Sequence, residues 1–176
     1  MAVPIGITSE GNVLVQFVPV IAAPGVPKLT EISAAGAVPL HCALTKDGLA
    51  LGGDQQTGTD DRLCSRQSFE IPGSYTDTLD ITYVHNPQAT LPADNLAYTT
   101  LKQGVTGYVV VRWGKPWETA LAVGDKVDVY PVTAGIQRKQ APEANSSLKV
   151  AQKMFVTGPV ARDVARGHGG DIILGR

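Results

Sequence analysis

Four residues of this chain, His41, Cys42, Cys64 and His85, are of types that ligate zinc or pair a thiol nucleophile with its base. Their spacing matches no zinc-ligand pattern and no nucleophile–base arrangement, so they read as structural. Asp54, Asp60 and Asp61 share a glycine-bearing stretch in which oxygen ligands could gather around calcium, but the ligand order of a helix–loop–helix calcium site is missing. A solvated acidic segment is the simpler reading. Gly114-Lys115 runs into Pro116, lacks the upstream glycine of a phosphate loop and follows a strand-like run. There is no G-x-S-x-G, and Ser74 after Gly73 is a turn serine. Asn145-Ser146-Ser147 spells a glycosylation sequon, which has meaning only with secretion. Trp113 and Trp117 bracket Gly114–Pro116 and could form a sugar-stacking platform, although packing in the core or at a subunit contact accounts for them more economically. No metal, cofactor or catalytic residue is implied, and the expectation is a protein that builds rather than catalyses.

The elements that must position these residues are strands. Nineteen Gly and 12 Pro in 176 residues, against 18% charged residues, favour many short strands and turns over long helices. The length suits one domain, 1–176. A net charge of -1 predicts neither non-specific nucleic-acid binding nor membrane association. Cys42 and Cys64 are too few for a disulfide scaffold and are expected to be buried, reduced thiols. Val13–Ala23 imitates the apolar part of a signal peptide, but the first basic residue is Lys28, and Gln16 and Pro19 interrupt the run. It is too short to span a bilayer, so it reads as an opening strand, and a soluble product made in the cytoplasm is expected.

The organising stretch is Gly104–Gly135. Tyr108–Trp113 and Lys126–Val132 are rich in β-branched and aromatic residues, and the connector between them carries Gly114, Pro116 and Gly124-Asp125. Val127, Val129 and Pro131 alternate with Lys126, Asp128 and Tyr130, the period of a half-buried strand. Val109-Val110-Val111 is apolar on both faces and must lie between two layers or against a neighbouring subunit. Further strands are expected at Asn12–Ile21, once or twice within Lys28–Leu44, at Gln67–Ile71, at Thr78–His85, at Leu148–Thr157 and within Pro159–Val164. A turn is expected at Pro72-Gly73 and a polar connection at Ala134–Ser147. Thr45–Arg66 is polar and glycine-rich and reads as a long loop, with a hairpin arm around Leu49–Leu51 as a variant. Asn86–Gly104 is the one good helix candidate, with Asp94 capping the first turn, Leu96 and Leu101 on an apolar side, and Gly104 at C′.

The succession SFEIPGSYTDTLDITYVHNP, a single helix closed by LKQGVTGYVVVRWG, then LAVGDKVDVYPVTAG and LKVAQKMFVTGPVARDVA resembles the major tail protein, or tail tube protein, of long non-contractile-tailed bacteriophages, particularly those of actinobacteria. The resemblance covers Ser68–Val164. It implies a mainly β fold, a β-sandwich or β-barrel of antiparallel strands with one flanking α-helix. It also implies a structural virion protein, assembled in the host bacterial cytoplasm. Its hexameric rings would stack into the tail tube, the conduit for genome delivery. The partners implied are the chain itself, the tape measure protein and the tail terminator and initiator proteins. Double-stranded DNA would pass without specific binding, and no membrane insertion is implied.

On this reading 1–11 is an N-terminal arm, 45–66 an inter-subunit loop and 165–176 a C-terminal arm. Within the loop, Lys46, Asp47, Asp54, Gln55, Gln56, Thr57, Asp60, Asp61 and Arg62 are the candidate inter-ring or inter-subunit residues, and Asp80 and Asp128 the candidates for lumen-facing charge. Two competing readings remain. One is a monomeric β-sandwich binding module for carbohydrate or a receptor, with Trp113 and Trp117 exposed. The other is a small β-barrel enzyme using His41 or His85, which requires a pocket of converging polar groups.

Overall fold

The computed structural model describes residue 3 and residues 5–165. The chain forms one antiparallel sheet that curls into a half-barrel, mainly β as expected. Its strands are β1 (Val13–Val18), β2 (Val38–Pro39), β3 (Leu44–Asp60), β4 (Phe69–Val84), β5 (Thr106–Trp113), β6 (Lys126–Lys139), β7 (Lys149–Val156) and β8 (Ala161–Ala165). Across the sheet they run β2-β1-β5-β6-β7-β4-β3, with β8 pairing the first part of β6. Two short helices, α1 (Leu29–Ile32) and α2 (Leu96–Thr100), complete the fold, the second preceded by a 3-10 turn at Pro92–Asn95.

Alternation decides which side chains fill the half-barrel. Phe17, Val109, Tyr130 and Val132 point inward from β1, β5 and β6, and meet Leu79, Ile81, Tyr83 and Met154 from β4 and β7. The opposite face of β1, β5 and β6 buries a second cluster, Val18, Val110, Val127 and Val129, under Ile32 of α1. Val109-Val110-Val111 therefore divides between two cores, which is why the run is apolar on both faces. Tyr130, on the supposedly polar face of β6, is buried as well.

A polar knot sits inside the first cluster. The Gln152 amide donates to the carbonyls of Leu101 (2.7 Å) and Gly135 (2.9 Å), and its oxygen accepts from the Tyr83 hydroxyl at 3.1 Å. Gln137 donates to that hydroxyl (2.9 Å) and to the Tyr98 carbonyl (2.8 Å), fastening α2 to the sheet. Desolvation pushes the Tyr83 hydroxyl up to about 12, against the lowering effect of the Gln137 bond. Because the bonds are mutual, the buried amides are stabilising rather than costly.

Several elements differ from the sequence expectations, each for a local reason. Residues 45–60 form strand rather than loop, because their backbone groups pair with β4 from Leu49↔Ile81 to Asp60↔Phe69. The turn expected at Pro72-Gly73 is a β-bulge. Gln55 pairs with Tyr75 and Thr57 with Pro72, leaving an extra residue on β4, and a Cβ on Gly73 would lie 2.8 Å from the Gln56 carbonyl oxygen.

Of the one or two strands expected within Lys28–Leu44, β2 (Val38–Pro39) forms, while the earlier part folds as α1, its start held by the Glu31 carboxylate accepting from the Lys28 (3.0 Å) and Ala22 (3.2 Å) backbone. The long helix expected over Asn86–Gly104 shrinks to the 3-10 turn and α2. Asp94 makes no capping bond, Leu96 is exposed while Ala97 and Leu101 are buried, and Gly104 (φ 85°) lies in a turn beyond the helix end. Asn95 fills the organising role, its side chain bonding the Asn86 backbone at 3.0 and 2.6 Å. The polar connection expected from Ala134 begins only after Lys139, since β6 continues through a bulge at Gly135-Ile136 to pair with β7. Cys42 and Cys64 are free and exposed, not buried.

Candidate assembly surfaces

Beyond Leu51 and Leu79 the β3–β4 pair leaves the body as a two-stranded ribbon. Leu51–Asp60 makes nine residue steps, so the ribbon projects by about 30 Å. Residues 52–59 and 69–76 are exposed or nearly so on both faces. Such a ribbon alone in water is marginal. It exposes apolar side chains on both faces. Phe69 and Ile71, 54% and 48% exposed, share one face with Thr76, while Tyr75, 65% exposed, lies with Glu70 and Pro72 on the other, because the extra residue of the bulge reverses the alternation. At the tip, residues 61–68, Leu63 is wholly exposed.

The candidate residues of the 45–66 segment fall into three groups along β3. Lys46 and Asp47 lie at its base, where Lys46 forms an ion pair with Glu10. Asp54, Gln55, Gln56 and Thr57 lie along the ribbon, with the Gln56 amide donating to Asp54 at 2.6 Å. Asp60, Asp61 and Arg62 lie at the tip, where the Arg62 guanidinium bonds both oxygens of Asp60 at 3.1 and 3.0 Å. What the polarity-led reading left out is the exposed apolar side chains of β4, Phe69 and Ile71 on one face of the ribbon and Tyr75 on the other, the last hidden by reading Pro72-Gly73 as a turn.

At the base of β3 a groove of about 360 Å³ opens between Leu44, Leu49, His41, Cys42, Trp113 and Trp117. The His41 ring leans on Trp117, centroids 4.8 Å apart, and its Nδ1 lies 3.2 Å from the Val15 carbonyl oxygen. Trp117 and its neighbours belong to the connector 114–125, clamped onto the sheet by Arg112. This guanidinium, 1% exposed, donates to the carbonyls of Pro116 (2.7 Å) and Thr119 (2.9 Å) and lies 3.5 Å from Asp125. Asp125 also pairs with Lys115 at 2.5 Å and accepts from the Ala122 N–H at 3.0 Å. Burial raises its pKa, but the Lys115 and Ala122 bonds and the two cations outweigh that and hold it below the ordinary 3.8.

Asp80 and Asp128 are carried on opposite faces of the sheet, so a single lining face takes only one of them. Asp80 is exposed, beside Lys153 in register, on the face opposite Leu79 and Ile81. Asp128 shares its face with Val111 and Tyr130, and its carboxylate accepts from Trp113 Nε1 (2.9 Å) and the Asp163 N–H (2.8 Å), securing the β8 bulge. His85 packs on Tyr98 (4.2 Å between centroids) with Nδ1 3.0 Å from Asn95. His41, Cys42, Cys64 and His85 do not converge, and no group of three metal-ligating side chains occurs among the described residues. No helix among them is long and apolar enough to cross a membrane. The C-terminal arm lies outside the described residues, save Ala165, which ends β8.

The described residues thus form a curled antiparallel sheet with an exposed two-stranded ribbon and a groove at its base. The chain belongs to the phage tail tube protein family, whose model matches residues 1–168. Among solved structures it is similar to a chain of the anti-feeding prophage baseplate, determined by cryo-EM with 6-fold symmetrisation. The TM-score is 0.52 at 11% identity, over 90% of this chain and 95% of that one, a likeness of fold. A comparison with curated proteins finds no match.

Proposed function

We propose that the chain assembles as hexameric rings that stack into a tail tube, the conduit for double-stranded DNA into a bacterial host, with the tape measure, terminator and initiator proteins as its partners. The observation that carries this reading is the ribbon. It exposes Phe69, Ile71 and Tyr75 on a structure too thin to bury them itself. The ribbon, from Gly52 to Thr78, offers about the 20–30 residues a side that a specific protein interface uses. Burial on another copy would stabilise both the ribbon and the assembly. The outer edge of β3 also pairs with no strand among the described residues, and ring closure is one way to satisfy such an edge.

Passage of DNA requires a lining that does not hold phosphate, since affinity grows with each phosphate neutralised. On the part of the sheet face that α1 leaves open, Asp80 stands beside Lys153, with Arg138 and the Glu143-paired Lys149 on the same face, and Asp80 is the acidic member we assign to a lumen. Asp128 is assigned instead to holding β8. The phage of origin is taken to be one with a long non-contractile tail infecting actinobacteria.

Sedimentation velocity over a concentration series tests the ring step. The expected pattern is loss of monomer to a ring-sized species and then to much larger particles. A monomer throughout, with tryptophan fluorescence responding to oligosaccharide, would instead indicate a binding module.

A further inference from the structure

The groove and the ribbon tip lie at opposite poles of the chain, since Leu44 and Leu49 line the groove at the start of β3 and the tip follows its end at Asp60. We infer that the groove is the socket for the tip of an axially adjacent copy, with Leu63 as the side chain that enters it. This rests on the tube reading and adds the acceptor site to it.

Three observations support the match. Leu63 is the most exposed apolar side chain described, at 111% relative exposure, and the mixed lining of the groove includes apolar Leu44, Leu49, Trp113 and Trp117. The tip carries the Arg62–Asp60 ion pair with Asp61 beside it, and the groove rim carries the Lys46–Glu10 ion pair, so no block of like charge opposes the contact. The two surfaces differ from each other and face opposite ways. A contact between them is therefore head-to-tail, and repeating it along an axis makes an open stack rather than a closed dimer. The backbone of Trp117 is held by its amide N–H donating to the Gly11 carbonyl at 2.9 Å and by the Arg112 clamp on the connector. The socket is thus formed before its occupant arrives.

The two cysteines report on this contact. Cys42 lines the groove and Cys64 is next to Leu63 at the tip, and both thiols are exposed. Within one chain they are on the order of 50 Å apart, the length of β3, beyond the reach of any short linker. A short bifunctional maleimide applied to assembled protein is therefore expected to give a ladder of covalent multimers. Mixed assemblies of Cys42→Ser with Cys64→Ser chains should give dimers only, and either variant alone none. Leu63→Asp should raise the concentration needed for tubes by about tenfold or more, with the fold unchanged by circular dichroism. Tubes that form without any ladder, or that crosslink equally in the Cys64→Ser variant alone, overturn the socket and leave the tube reading standing. A protein that stays monomeric at every concentration overturns the tube reading and the socket with it.

Discussion

A chain in which Asp54–Thr76 is replaced by an Asn-Gly turn folds as the parent does but forms no tubes. The cut preserves the Gly53↔Asp77 pair and removes only residues outside both hydrophobic clusters, so the core loses no buried side chain. Two-residue Asn-Gly turns match the twist of an antiparallel pair, so the shortened hairpin closes without strain. The change in stability of the monomer should lie within about 1 kcal/mol, as for other surface changes. Assembly, by contrast, loses Phe69, Ile71, Tyr75 and Leu63 together. Removing Asp54–Thr59 alone also blocks tube growth, but less cleanly, because it strips β4 of its partner strand. The check is a thermal melt beside electron micrographs of the same sample. Tubes of normal diameter from the shortened chain would show that the ribbon is dispensable.

Arg112→Met is expected to cost about 3–5 kcal/mol, the range for removing one member of a buried ion pair. The loss is large because one side chain holds a whole connector. The Pro116 and Thr119 carbonyls lose their donor, and Asp125, 5% exposed, keeps only Lys115 as its cation. Against total stabilities of about 5–15 kcal/mol this takes a major share. It should appear as a lowered urea midpoint with an unchanged slope. The same cluster sets an acid response. Asp125 has a folded pKa below its unfolded 3.8, so its contribution is fully present above the unfolded value and is lost as pH falls through the lower, folded one. Loss of this contribution should therefore begin only below about pH 5. An Arg112→Met protein with a parental midpoint would show that the clamp is incidental.

How much of this was legible depended on what each residue spends its side chain on. Alternation revealed the first half of β6, β7 and the inner half of β4, and apolar β-branched runs revealed β1 and β5, because each presents at least one face to a core. Beyond the expected strand at Gln67–Ile71 it failed for the outer ribbon, where neither face is buried within the chain and pairing runs through backbone groups that leave no trace in residue type. It failed again at the end of β6, where Gln137 is polar yet held by Tyr83 and by the Tyr98 carbonyl. A four-residue helix such as α1 is below the length at which periodicity can speak, and rests on Glu31 and the burial of Ile32. Polarity drew attention to the charged residues of 45–66, while the exposed apolar side chains lie one strand further on, and the groove could not be foreseen because 41–49, 113 and 117 meet only through the fold.

The central claim is that this chain polymerises into a hollow tube, and negative-stain electron microscopy of the purified full chain over a concentration series tests it most directly. Hollow tubes of uniform diameter, with six-fold end views of single rings at lower concentration, are the predicted result. Isolated particles of monomer size at every concentration would contradict it.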